Sequence, residues 1–127
     1  MKIPNLNWKA KWILGAVLVV PWLWNWFYYV TPKAAYYELA RAVEVQDAQK
    51  LKQLAEPHIL ADLPGIAKMH GGMRKFGQGM RQSSDVGVAI HMIGTVDLFA
   101  TVNKRPYMIQ FTLENWRWKA VVLGEWW

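Results

Sequence analysis

Three histidines and nine carboxylates are the side chains able to move a proton or hold a metal in this chain of 127 residues. Cysteine is absent, which excludes disulfides, thiolate nucleophiles and thiolate-held zinc or iron–sulfur clusters, and leaves an exported location open. His91 and Asp97 are the pair with a spacing that could do chemistry. They lie six residues apart across Gly94, on two runs that read as adjacent strands. A histidine facing a carboxylate there would be a general base with the group that orients it. Alternation places His91 with Gly87, Ala89 and Ile93, and Asp97 with Thr95, Phe99 and Thr101. A structural pair on a solvent-facing side of the sheet is the competing reading. His58 and His70 are twelve residues apart across a turn, and no His-x-Glu or His-x3-His spacing occurs. The sequence therefore assigns no metal ligand and no cofactor. Gly71-Gly72 and Gly77-x-Gly79 are not set in a βαβ unit, and no serine elbow or phosphate loop is present. The expectation is a chain that is not an enzyme.

The elements that must position these residues come in two blocks. Residues 86–93, 95–102, 107–113 and 116–123 read as strands, with turns at 103–106 and at Glu114-Asn115. Tyr107, Ile109, Phe111 and Leu113 share one face, and Trp116, Trp118, Ala120 and Val122 share another. Short turns make such strands antiparallel neighbours. Before them, Thr31-Pro32 reads as a helix start with Thr31 as N-cap, and residues 33–46 carry an apolar stripe of Ala35, Leu39, Ala42 and Val43. Tyr36 and Tyr37 fall on the first turn of that helix, near the headgroups at the membrane surface. Asp47 should cap a second helix over 48–56, ended by Pro57, with Leu51, Leu54 and Ala55 inward. Residues 61–65 read as a turn, and the glycine-, methionine- and lysine/arginine-rich stretch 65–81 as an adaptable loop. Helices first and strands after make an α+β domain, with helices packed on a curved antiparallel sheet.

The amino-terminal stretch is of another kind. Residues 12–30 hold no charge, and Asn25 is their one strongly polar side chain. As a helix they span about 28 Å at 1.5 Å per residue, close to the roughly 30 Å of a bilayer's hydrocarbon. Trp8 and Trp12 mark one end, and Trp24, Trp26, Phe27, Tyr28 and Tyr29 crowd the other, as aromatic belts do. The bulky residues after the apolar run do not suit a signal-peptidase site. The domain division is therefore an amino-terminal tail 1–11 in the cytoplasm, a transmembrane helix 12–30 and an extracytoplasmic α+β domain 31–127. Pro21 should kink the span, and Pro32 should break the helix after it. Lys2, Lys9 and Lys11 precede the span, a bias toward a cytoplasmic amino terminus. The net charge is +6, yet residues 34–127 carry eleven cations against nine anions. The basic excess thus belongs to the flanks of the apolar segment, which argues against nucleic acid as a partner.

A membrane anchor ending in aromatics, then Thr31-Pro32, a helix with Ala42-Val43, Asp47-Ala48 and Leu51, and a closing hairpin over Trp116-Arg117-Trp118-Lys119-Ala120-Val121 resemble the nuclear-transport-factor-2-like, cystatin-like cone superfamily. More narrowly they resemble its short membrane-anchored bacterial members. The resemblance covers about half the chain and leaves residues 58–85 unmatched. It implies a sheet wrapped around helices to leave a cone-shaped cavity, and it carries over no functional residues. A fold of this kind decides little about function.

The functional expectation is a single-pass accessory subunit of a bacterial inner membrane, docking on and stabilising a larger photosynthetic, respiratory or secretion complex. Its partners would be other membrane subunits and the lipid bilayer. Gly15 and Ala16 would allow close helix approach, and Asn25 an interhelical hydrogen bond. Trp22, Trp24, Asn25, Trp26 and the terminal Trp126 and Trp127 are the expected docking residues, two terminal tryptophans being hard to bury in so small a domain. The alternatives are a membrane-anchored module holding a small apolar molecule or lipid in the cone, and a cone enzyme using His91 and Asp97.

Overall fold

A computed structural model describes residues 8–125; Trp126 and Trp127 lie outside the described residues. The described residues form helices α1 (Trp8–Asn25), α2 (Thr31–Val45), α3 (Ala48–Leu54), α4 (Pro57–Lys68) and α5 (Met73–Arg81). Strands β1 (Gly87–Met92), β2 (Thr95–Val102), β3 (Arg105–Glu114) and β4 (Arg117–Glu125) follow. The strands make an open antiparallel meander in the order β1-β2-β3-β4, so the class is α+β as expected. Alternation explains which side of the sheet meets the helices. Val96, Leu98, Ala100 and Val102 of β2 and Tyr107, Ile109 and Phe111 of β3 are buried on one face, while Asp97, Gln110 and Thr112 lie on the other. The stripe Ala35, Leu39, Ala42 and Val43 of α2 is buried against that face, together with Tyr36 and with Phe76 and Met80 of α5.

The helix does not break at Pro32. A five-residue π-helical turn, Trp26–Val30, joins α1 to α2, so helical backbone runs from Trp8 to Val45. Proline has no N–H and its ring crowds the carbonyl four residues back, here Tyr28. Widening the turn before it relieves that conflict: the Thr31 N–H bonds to the Trp26 carbonyl, five residues back. Thr31 is therefore not an N-cap. Its hydroxyl donates to the Phe27 carbonyl. Pro21 lies inside α1, which continues through it. Tyr36 is fully buried rather than near a surface, its hydroxyl 3.2 Å from Ser83 Oγ.

Asp47 does cap α3, accepting from the Lys50 N–H at 3.2 Å. Pro57, expected to end that helix, instead opens α4 at its first turn, where the missing donor is free of cost. α4 then runs through Pro64 and Gly65, where a turn was expected. The stretch expected to be a loop contains α5. Its glycines are there for proximity: a Cβ on Gly77 would stand 2.6 Å from Glu44 Cα and 2.8 Å from the Ala40 carbonyl oxygen, so α5 lies directly on the backbone of α2. The Arg81 guanidinium, bonded to the Glu44 carboxylate at 2.9 Å, holds the far end of the same contact.

Two further corrections concern the sheet. Trp116 sits in the β3–β4 turn, not on the face with Trp118. A bulge opposite Gln110/Phe111 shifts the alternation of β4, so Trp118 and Ala120 are buried while Val122 is exposed.

Gly77→Ala should destabilise the domain by about 2 kcal/mol, the backbone having nowhere to move. Gly65→Ala, with no atom within 4 Å of the added methyl, should stabilise it by up to about 1 kcal/mol. Urea unfolding of the full chain in mild detergent, followed by circular dichroism, measures both.

Candidate functional site

α1 buries none of its residues within the chain. Ile13, Val17, Leu18, Trp22 and Trp24 are exposed all round it, so the helix has no polar face. With the π-helical turn and α2 it forms a helix long and apolar enough to cross a membrane. Gly15 and Ala16 leave a shallow, open groove in its surface, edged by Trp8, Trp12, Val19 and Val20 with Lys11 at one end. Of the expected docking residues, Trp22, Trp24, Asn25 and Trp26 are exposed on this helix or at its end. Trp24 also stacks on Tyr28, ring centres 4.6 Å apart.

Where α1 ends, the sheet begins. The Trp118 indole N–H donates to Thr31 Oγ1 at 2.8 Å, and Trp118 is only 5% exposed. Phe27 and Tyr28 pack against the Trp118 ring at 5.7 and 5.9 Å. The Tyr28 hydroxyl accepts from the Gly94 N–H at 3.1 Å, in the β1–β2 turn. Phe27 also meets Trp116 of the β3–β4 turn at 6.4 Å. Both hairpin turns thus lie beside the π-helical turn, and each carries an uncovered apolar side chain: Ile93 and Trp116 are each 84% exposed. Alongside is a cleft of about 470 Å3 walled by Thr31, Ala34, Trp116 and Trp118, with Arg117 and the Lys50–Glu38 ion pair at its edge.

The opposite end of the sheet is polar. His70 lies between the rings of Phe76 and Tyr107. Its Nε2 is 2.6 Å from the Tyr107 hydroxyl and its Nδ1 accepts from the Asn103 amide at 3.0 Å. Burial, and then the Arg105 cation, push the His70 pKa below the ordinary histidine value. Arg105 pairs with Glu125 at 2.9 Å beside it. Asp85 receives the Thr101 hydroxyl at 2.6 Å and its N–H at 3.2 Å, and these bonds hold its carboxyl below the usual range.

His91 and Asp97 do meet, Nδ1 to Oδ2 at 3.3 Å. The second oxygen of Asp97 accepts from the Gln110 amide at 3.1 Å. The pair sits on the open face of the sheet, with the His91 side chain 49% exposed, and not among the helices that fill the other face. His58 reaches the Val121 carbonyl at 2.7 Å and is remote from His70 and its partners. No group of three metal-binding side chains occurs among the described residues. The residues that the sequence reading missed are Thr31, Ile93 and Trp116, whose roles follow from the π-helical turn. The proline one residue after Thr31 was the available signal.

Compared with protein-family models, with curated proteins and with solved structures, the chain matches none of them.

Thr31→Val should cost about 1–2 kcal/mol, because it strands the buried Trp118 N–H, whereas Thr31→Ser keeps the acceptor and should be near neutral. Thermal melts in detergent separate the two. His70 gives a pH dependence. Its folded pKa lies below the ordinary 6.5, so its contribution is whole above that value and is lost as pH falls from 6.5 toward the folded pKa. The melting temperature should fall as the pH is lowered from about 6.5. His70→Gln should flatten that slope.

Proposed function

We propose that this chain is a single-pass, non-enzymatic subunit that docks through its amino-terminal helix on a larger membrane complex and stabilises it. The observation that carries this reading is α1 itself: a long apolar helix with no residue buried in its own chain and a groove at Gly15 and Ala16. Within lipid, hydrocarbon chains satisfy an apolar surface as well as a protein does, so association there depends on close packing and hydrogen bonds. A groove left by small residues supplies the first, and the Asn25 amide supplies the second. In this reading residues 12–30 span the inner membrane of a bacterium. Residues 1–11 stay in the cytoplasm, where Lys2, Lys9 and Lys11 favour them, and the α+β domain stands outside. The complex would be of photosynthetic, respiratory or secretion type. The reading takes nothing from the resemblance to the cone superfamily.

A second reading, a membrane-anchored module for a small apolar molecule or lipid, has one observation in its favour. The cleft beside Trp116 and Trp118 offers two indoles and an arginine at the level where a headgroup would lie. An occupant of that cleft would be found by extracting the purified protein and identifying the released lipid.

Purification from native membranes in mild detergent, through an amino-terminal tag, tests the first reading. The expected result is stoichiometric recovery of one large membrane complex. Gly15→Leu combined with Asn25→Leu should reduce that recovery at least tenfold while leaving the melting temperature of the domain unchanged, since Gly15 has no atom within 4 Å of an added Cβ. Recovery of the wild-type chain alone would overturn the reading.

A further inference from the structure

Resting on the reading of residues 12–30 as a membrane span, we infer that the β1–β2 and β3–β4 hairpin turns dip into the outer leaflet of the same bilayer. They would seat Ile93 and Trp116 at the boundary between headgroups and acyl chains. The domain would then lie on the lipid surface at three points rather than stand above it on a stalk.

The depth of the turns follows from what they touch. Trp116 packs on Phe27, and the Gly94 N–H bonds to the Tyr28 hydroxyl. Phe27 and Tyr28 precede the end of the span by two or three residues, which is about 3–5 Å along a helix. Groups held at their level lie within the interface, not in the water beyond it. Aromatic and apolar side chains are the kind that settle at that depth.

The backbone of the β1–β2 turn at Gly94 suits a medium poor in water. An unpaired peptide group is costly in such a medium. Gly94 is paired on both sides: its N–H with Tyr28, and its carbonyl with the Leu113 N–H at 2.7 Å. The turns themselves, Ile93-Gly94 and Asn115-Trp116, carry no charge, and the ionic side chains Glu114 and Arg117 begin one residue higher, where headgroups would meet them.

The choice of residue at the second turn points the same way. Asn115 and Trp116 both have positive φ, 51° and 63°. A turn of this form prefers asparagine and glycine, and a large side chain there costs about 1 kcal/mol or more of strain. An indole that is 84% exposed returns little of that cost from within the chain. The β2–β3 turn at the opposite end has the same form, with Asn103 and Lys104 at φ 49° and 69°, so what distinguishes the turn beside the span is an indole where the other carries an ammonium.

The absence of cysteine allows single labels. Ile93→Cys, Trp116→Cys, Leu18→Cys and Lys68→Cys would each carry a nitroxide, in the full chain reconstituted alone into vesicles of phosphatidylethanolamine and phosphatidylglycerol. Collision with oxygen and with a water-soluble nickel chelate reads depth. The expected result is an oxygen-to-nickel ratio several-fold higher at 93 and 116 than at 68, and highest at 18. Labels at 93 and 116 as accessible to nickel as that at 68, with 18 deep, would overturn the inference and leave the span standing. A water-accessible label at 18 would overturn the span and the inference with it. Shielding of 93 and 116 from both reagents, increasing with the ratio of protein to lipid, would assign the patch to a second copy of the chain and also overturn the inference.

Discussion

The bond from the Trp118 indole to the Thr31 hydroxyl fixes the last strand of the sheet to the point where the apolar helix becomes the core helix of the domain. Everything else in the arrangement depends on that register. A helix running from Trp8 to Val45 has two parts, one apolar all round with no residue buried in the chain before the π-helical turn, and one packed on a single side after it. The hydroxyl of Thr31 can serve the sheet because its own proton is directed at the Phe27 carbonyl, and that carbonyl belongs to the turn that Pro32 requires. Proline, wide turn, threonine and tryptophan form one local solution. It keeps the two halves of the helix rigidly continuous while giving the domain a fixed height on it.

That rigidity is what makes the hairpin turns informative. On a flexible linker their exposed Ile93 and Trp116 would face no particular surroundings. Held to Tyr28 and Phe27, they occupy one level along the helix axis. The opposite end of the sheet has the reverse chemistry, with the His70, Asn103 and Tyr107 network and the Arg105–Glu125 pair. The domain therefore has an apolar pole beside the end of α1 and a polar pole away from it.

Sequence pattern conveyed the elements whose cause is local. The α2 stripe of Ala35, Leu39, Ala42 and Val43, the Asp47 cap and the alternation of β2 and β3 are where periodicity places them. Errors arose where a residue acts through a distant neighbour. Glycine at 77 and 79 reads locally as loop, because the reason for it lies in the α2 backbone and in Asn103, far away in sequence. Pro32 reads as a helix start, because a proline that opens a helix and one that widens the turn before it inside a longer helix look alike in sequence. Trp116 was assigned to a strand, because the alternation Trp-x-Trp counts straight through a turn whose left-handed backbone is more typical of glycine. The open-face position of Asp97 was legible from the alternation of β2, with Val96 and Leu98 buried on either side of it. Its contact with His91 depends on the bulge at Ile90/Met92, which pairs Ala89 rather than Ile90 with Asp97 and so brings His91 to the same face, and which no local signal marks.

The position of that pair sharpens the functional reading by contrast. A general base is useful where water is controlled and a substrate can be held. His91 stands on an open sheet face, while the concave side that a cone would offer is filled by Tyr36, Phe76 and Phe111. The π-helical turn, the two uncovered hairpin residues and the small residues Gly15 and Ala16 lie elsewhere, on α1 or where the domain meets it. Exposed apolar features gathered in this way mark surfaces that other molecules cover. They follow the helix axis, with apolar side chains all round α1, aromatic groups at the π-helical turn and the His70 network at the opposite end of the sheet.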